Sequence, residues 1–144
     1  MSPYLFIGAV LAIAVHADSG FESNCNSYGI FQPGFSKNGA PNNVDMMANC
    51  QYDGGSNAIY NVGTGIDLNQ CFGVSTDGQF SPDGNGIGAS CRDFGPGTIE
   101  SHGPLIMTAQ CSDYAGNYQS ASIDLNDYIG NSNGRLTCFG RMPV

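Results

Sequence analysis

The chain has 144 residues, of which 41% are hydrophobic and 11% charged, and a formal net charge of −8 at pH 7. Four basic against twelve acidic side chains would be repelled by a phosphate backbone or an anionic bilayer, which argues against nucleic acid and membrane insertion. Twenty-one glycines, six cysteines and no tryptophan indicate a turn-rich chain stapled by disulfides rather than held by a large core.

An apolar run from Tyr4 to Val15 leads into Val15-His16-Ala17, with compact residues at −3 and −1 for cleavage after Ala17. A signal peptide over residues 1–17 is therefore expected, although no Lys or Arg precedes the run. The run is too short to span a bilayer; its alternative reading is a buried N-terminal strand. Residues 18–144 then form a single secreted, extracellular domain. All six cysteines lie there, and their even number implies disulfides formed in an oxidising compartment. With no C-x-x-C pair and His102 the single histidine past the leader, no metal site and no cofactor are expected.

Beyond the leader, Cys25 is followed by a polar stretch containing Tyr28, then by an extended Gly/Pro/Asn-rich loop from Phe31 to Asn43. Val44, Met46, Ala48 and Cys50 alternate onto one face, the period of a strand. Ile66-Asp67-Leu68-Asn69 follows, with a short helical turn expected in the polar stretch behind it, capped by Asn or Asp. Asp77-Gly78 then predicts a tight hairpin with positive φ at both turn positions, and Phe80 restarts an apolar strand face.

The same order recurs: Cys91 with Phe94, a loop from Gly95 to Pro104, then Leu105, Met107, Ala109 and Cys111 on one face. Ile123-Asp124-Leu125-Asn126, Asn133-Gly134 and Leu136 complete the second copy. The chain thus reads as two internal repeats, about 21–86 and 87–139, in an all-β fold with short helical turns. Equivalent cysteines making equivalent bonds favours Cys25–Cys50 and Cys91–Cys111. Cys71 and Cys138 have no counterpart; if they pair, the last strand is fastened to the middle of the first repeat and the halves interleave.

Ser122-Ile123-Asp124-Leu125-Asn126 followed by Asn131-Ser132-Asn133-Gly134-Arg135-Leu136 resembles the cyanovirin-N family. The first repeat keeps a more worn version, Gly65-Ile66-Asp67-Leu68-Asn69 and Thr76-Asp77-Gly78-Gln79-Phe80. The resemblance, over residues 21–139, implies a pseudo-twofold pair of interleaved repeats, each a three-stranded sheet plus a β-hairpin. It also implies that the first pseudo-domain takes its closing segment from the C-terminus, consistent with a Cys71–Cys138 bond. A lectin is implied, not an enzyme, with mannose-rich or related oligosaccharides or glycoproteins as partners. The exchange fits a monomer or a domain-swapped dimer.

Carried onto this chain, the family's first carbohydrate site falls on Ser23, Asn24, Gln51, Asp53, Asn131 and Asn133, whose amides and hydroxyls suit vicinal diols. The insertion between Cys25 and Cys50 either shapes or covers that cleft. A second, weaker site falls on Ser90, Ser112 and Asp113, beside Gly73, Val74, Asn85 and Gly86, where the family's acidic, amide and basic residues are missing. Each position has a plainer reading. Ile-Asp-Leu-Asn serves the fold, its aliphatics inward and Asp124 and Asn126 satisfying turn backbone. Asn131 and Asn133 build a hairpin or touch ligand; Tyr28, Phe94, Tyr114 and Tyr118 stack on sugars or fill the core. The rival function is an extracellular interaction or effector-type protein that keeps the fold without sugar binding. Catalysis finds no base partnered to a nucleophile, and no EF-hand spacing supports calcium.

Overall fold

Period-two alternation decides where the strands form and which face they bury. In the computed structural model, residues 19–31, 43–54, 59–96 and 102–141 are described. The expected leader, most of the 31–43 loop and the middle of the 95–104 loop lie outside them. Three strands, β1 (Cys25–Phe31), β2 (Asp45–Asp53) and β3 (Ile59–Asp67), make one antiparallel sheet in the order β1-β2-β3. Strands β6 (Cys91–Gly95), β7 (Ile106–Ser112) and β8 (Tyr118–Asp124) make its counterpart. Between and after these sheets come two hairpins, β4 (Phe72–Val74) with β5 (Phe80–Pro82), and β9 (Ile129–Ser132) with β10 (Arg135–Cys138). The fold is all-β: the one α-helix among the described residues, Ile87–Ser90, has 4 residues, and no described helix is long and apolar enough to cross a membrane.

The inward stripes are as the alternation requires. Val44, Met46, Ala48 and Cys50 are buried, as are Leu105, Met107, Ala109 and Cys111, and all join one continuous core shared by both halves. Removing these side chains from water is the main favourable contribution to folding. Tyr28 belongs to this core, edge-on to Phe21 with ring centroids 5.0 Å apart. Its hydroxyl donates to the Gly103 carbonyl.

The Ile-Asp-Leu-Asn motifs work as joints, through nearly identical bonds. Asp67 Oδ1 accepts from the Asn69 amide at 2.9 Å, and Asp124 Oδ1 from the Asn126 amide at 2.9 Å, each capping a 3-10 turn that starts at the motif's own leucine. The turn overlaps the motif instead of following it, because the aspartate caps nearest donors two residues on. The two asparagines then each bind the start of the other repeat. Asn69 O accepts from Gly86 N at 2.9 Å and Asn126 O from Gly20 N at 2.7 Å. Asn69 Oδ1 accepts from Gly88 N at 2.7 Å and Asn126 Oδ1 from Glu22 N at 3.1 Å. Gly20 and Gly86 share φ 80, a left-handed conformation that favours glycine at both joints.

The hairpins are exchanged between the halves. Hairpin β4–β5 lies against the second sheet, where Gln79 Nε2 donates to Ser120 O at 3.2 Å and Tyr114 N to Thr76 O at 2.9 Å. Hairpin β9–β10 lies against the first sheet, with Leu136 N donating to Thr64 Oγ1 at 3.3 Å. Disulfides join Cys25 to Cys50, Cys91 to Cys111, and Cys71 to Cys138. The first two lie inside one sheet each; the third ties the two hairpins together. In the β9–β10 turn, Asn133 (φ 48) and Gly134 (φ 85) both take positive φ, as a tight Asn-Gly hairpin needs. The Asp77-Gly78 turn departs from that expectation. Val74 pairs with Phe80 across a wider loop, and of the two turn residues only Gly78 has positive φ. Ser75 is the cause: its carbonyl accepts from Gly78 N at 3.0 Å and its hydroxyl donates to the Asp77 carboxylate.

Candidate functional site

Strand β1 begins at Cys25, opposite Cys50, so the β1-side edge of β2 beyond Cys50 has no strand beside it among the described residues. Its backbone groups still need partners. Asn24 O accepts from Gln51 N at 2.8 Å, Asn131 Nδ2 donates to Gln51 O at 3.0 Å, and Asn133 Oδ1 accepts from Asp53 N at 2.8 Å. Two side-chain amides from the exchanged hairpin thus stand in for a missing strand. Asn131 Oδ1 also accepts from Gly134 N at 2.8 Å, setting the turn that aims Asn133. Ser23 Oγ donates to Gly20 O at 2.8 Å and accepts from Asn24 Nδ2 at 2.9 Å.

Ser23, Asn24, Gln51, Asp53, Asn131 and Asn133 therefore gather at one end of the molecule, linked through these bonds. Their chemistry is not equal. Asn131 holds backbone with both ends of its amide, which makes it chiefly a builder of the site. The Gln51 amide has no partner among the described residues, and Asn24, Gln51, Asp53 and Asn133 are exposed. This set offers amide donors, amide acceptors and a carboxylate on a frame already fixed by hydrogen bonds, the arrangement suited to a polyhydroxylated ligand.

The opposite end is assembled differently. Cys91 faces Cys111, which brings Ser90 and Ser112 to the same end of the second sheet. Asp113, however, is engaged in its own turn: Oδ1 accepts from Asn117 N at 2.8 Å and Oδ2 from Gln119 Nε2 at 3.1 Å. These bonds, led by that from the Asn117 backbone, hold its carboxyl below the usual range. Ser112 Oγ donates to Asp113 O at 3.2 Å. Gly73 is buried against the Asn85 backbone, where an added Cβ would lie 3.1 Å from Asn85 N.

The aromatics separate as well. Phe94 stacks on Phe80 at 6.5 Å and the Tyr118 ring lies under the Arg92 guanidinium at 3.8 Å, while Tyr114 is 92% exposed beside the second end. Sequence reasoning missed a cleft of about 550 Å³ lined by Tyr52, Val62, Gly63, Thr64, Asn133, Gly134 and Arg135. Its one signal in the sequence was the arginine that directly follows Asn133-Gly134. Among the described residues no cluster of three or more His, Cys, Asp or Glu side chains is placed to hold a metal ion.

No curated protein sequence matches the chain. Solved structures do. The NMR structure of the CVNH protein of Gibberella zeae has a TM-score of 0.59 at 21% identity, covering 84% of this chain and 98% of that one. A designed cyanovirin-N homolog lectin has a TM-score of 0.60 at 23% identity, covering 83% and 98%. Microvirin, solved as a complex with mannobiose, has a TM-score of 0.53 at 21% identity, covering 83% and 98%. These likenesses concern the fold. The family model described as the CVNH domain matches residues 21–137, the span that holds both sheets and, but for Cys138, both exchanged hairpins, and the chain belongs to that family.

Proposed function

We propose that this chain is a secreted, non-catalytic lectin that binds mannose-rich or related oligosaccharides at the end formed by Asn24, Gln51, Asp53 and Asn133. The observation that carries this reading is the asparagine-braced edge of β2, which holds several exposed polar side chains in fixed relation without using the Gln51 amide. Membership of the CVNH family supports it, as does the mannobiose complex of microvirin. A second relative, a MoCVNH3 variant, was solved with an N-acetylglucosamine tetramer at 17% identity and a TM-score of 0.57. Ser23 and Asn131 act as supports. The Ser90–Ser112 end contributes weakly, because Asp113 is engaged in its own turn. Three disulfides suit an oxidising compartment, in keeping with a leader over residues 1–17. The hairpin exchange suits a monomer or a domain-swapped dimer.

A glycan array followed by calorimetric titration tests this reading. Binding to mannose oligosaccharides is expected, weakened at least about tenfold by Asn24→Ala with Gln51→Ala, at unchanged melting temperature. No binding on the array would favour an extracellular interaction protein, and release of reducing ends from the glycan would contradict the non-catalytic assignment.

A further inference from the structure

Beside the polar end, on the other face of β2, the 550 Å³ cleft has a different character. Side chains alternate across a strand, so Tyr52 lies on the opposite face from Gln51 and Asp53. Gly134 packs directly on it: a Cβ there would lie 3.0 Å from Tyr52 Cβ and 2.7 Å from Val62 Cγ2. The turn therefore forms a wall between the two regions, with Asn133 reaching toward both. The cleft combines a partly exposed tyrosine ring, 39% accessible, with an aliphatic surface at Val62, a hydroxyl at Thr64 and a guanidinium at Arg135.

Arg135 stands apart from the other described arginines. Arg92 lies 3.7 Å from Asp93 and over the Tyr118 ring, and Arg141 is paired with Asp83 and the Gln70 carbonyl. Arg135 has no ion-pair or hydrogen-bond partner among the described residues, although twelve acids are present in the chain. A guanidinium fork left open in a cleft that also holds an aromatic ring matches a planar or branched oxyanion carried on a sugar ring. The ring would rest on Tyr52, and the anion would take both nitrogens of the fork. Carboxylates elsewhere on the surface are screened beyond about 8 Å at physiological salt.

We infer that the Tyr52–Arg135 cleft is a second subsite that accepts an acidic sugar residue, bearing a carboxylate or a sulfate, next to the neutral sugars bound at the Gln51 end. The inference rests on the carbohydrate-binding reading above, and the two have separate reporters. In a ¹H–¹⁵N titration of the full disulfide-bonded protein, methyl β-D-glucuronide and glucose 6-sulfate are compared with methyl β-D-glucoside. The acidic probes are expected to shift the amides of Gly63, Thr64 and Gly134 and the Arg135 Nε–H, binding at least about fivefold tighter than the glucoside. The tighter of the two identifies carboxylate or sulfate as the group selected. Arg135→Gln, at an exposed position, is expected to remove about tenfold of that affinity and abolish its salt dependence. Equal response to acidic and neutral probes, or an acidic response untouched by Arg135→Gln, overturns the inference. Mannose-induced shifts at Asn24, Gln51 and Asp53 in that same variant would show that the principal site survives such a failure.

Discussion

Asn131 Nδ2 donates to the Gln51 carbonyl at 3.0 Å across 80 residues of sequence, joining a hairpin of the second repeat to a strand of the first. With Asn133 Oδ1 on Asp53 N at 2.8 Å, it makes the candidate site a product of the repeat exchange. Asn131→Ala should therefore destabilise the protein by about 1–3 kcal/mol, because the Gln51 carbonyl and the Gly134 amide lose partners together. Gln51→Ala should leave the melting temperature nearly unchanged. Thermal unfolding of the two variants checks the distinction, and equal losses would show that the hairpin is not held as described.

The glycines of the exchanged turns should be among the least replaceable residues. Gly134 combines φ 85 with a Cβ position 2.7 Å from Val62 Cγ2, and Gly78 combines φ 77 with one 3.0 Å from Cys111 O. Each alanine substitution faces backbone strain and a steric clash together, so a loss of about 1–3 kcal/mol is expected for both. Gly116, with φ 83 but open space around it, serves as the control and should lose less. Chemical denaturation measures all three.

Among the disulfides, Cys71–Cys138 should matter most. It closes a separation of 67 residues, against 25 and 20 for the other two. Loop-closure entropy assigns it about 4 kcal/mol and the others about 3 kcal/mol. Paired alanine substitution of each bridge, followed by urea unfolding, should rank them in that order.

Asp45 lies directly opposite Asp67 at the end of the first sheet. Partial burial, and then the Asp67 charge, hold its carboxyl above the usual range. A raised carboxyl contributes stability that is present below its unfolded-state value and is lost as pH rises through the folded-state value. At neutral pH the pair therefore works against folding, and Asp45→Asn should stabilise by a few tenths of a kcal/mol, up to about 1 kcal/mol. The gain should shrink as pH falls through the folded-state value and be gone only below the unfolded-state one. Asp113 has the opposite sign: its lowered carboxyl contributes stability above its unfolded-state value that is lost as pH falls through the folded-state one. Asp113→Asn should thus narrow the acid sensitivity seen in melting curves between pH 2 and pH 5, roughly the span over which such carboxyls titrate.

Much of the fold was legible because it depends on local periodicity. Val44 to Cys50 and Leu105 to Cys111 alternate apolar residues as a half-buried strand must, and the duplicated Asp and Asn of Ile-Asp-Leu-Asn cap turns within two residues of themselves. The family resemblance added the exchange of hairpins. What sequence could not supply depends on distant partners or on competition between nearby ones. Ser75 diverts the Asp77-Gly78 turn into a wider loop. Asn117 and Gln119 engage Asp113 and thin the second end. Asn131 looks like any turn asparagine until Gln51 comes within reach. The Tyr52–Arg135 cleft joins segments about as far apart, and no spacing rule connects them.

The most direct test of the lectin assignment is a residue-resolved ¹H–¹⁵N titration with a linear mannose oligosaccharide. Saturable shifts concentrated at Asn24, Gln51, Asp53 and Asn133 are expected, with small ones at Ser90 and Ser112. A spectrum unmoved at millimolar glycan, or shifts confined to the Ser90–Ser112 end, would contradict it.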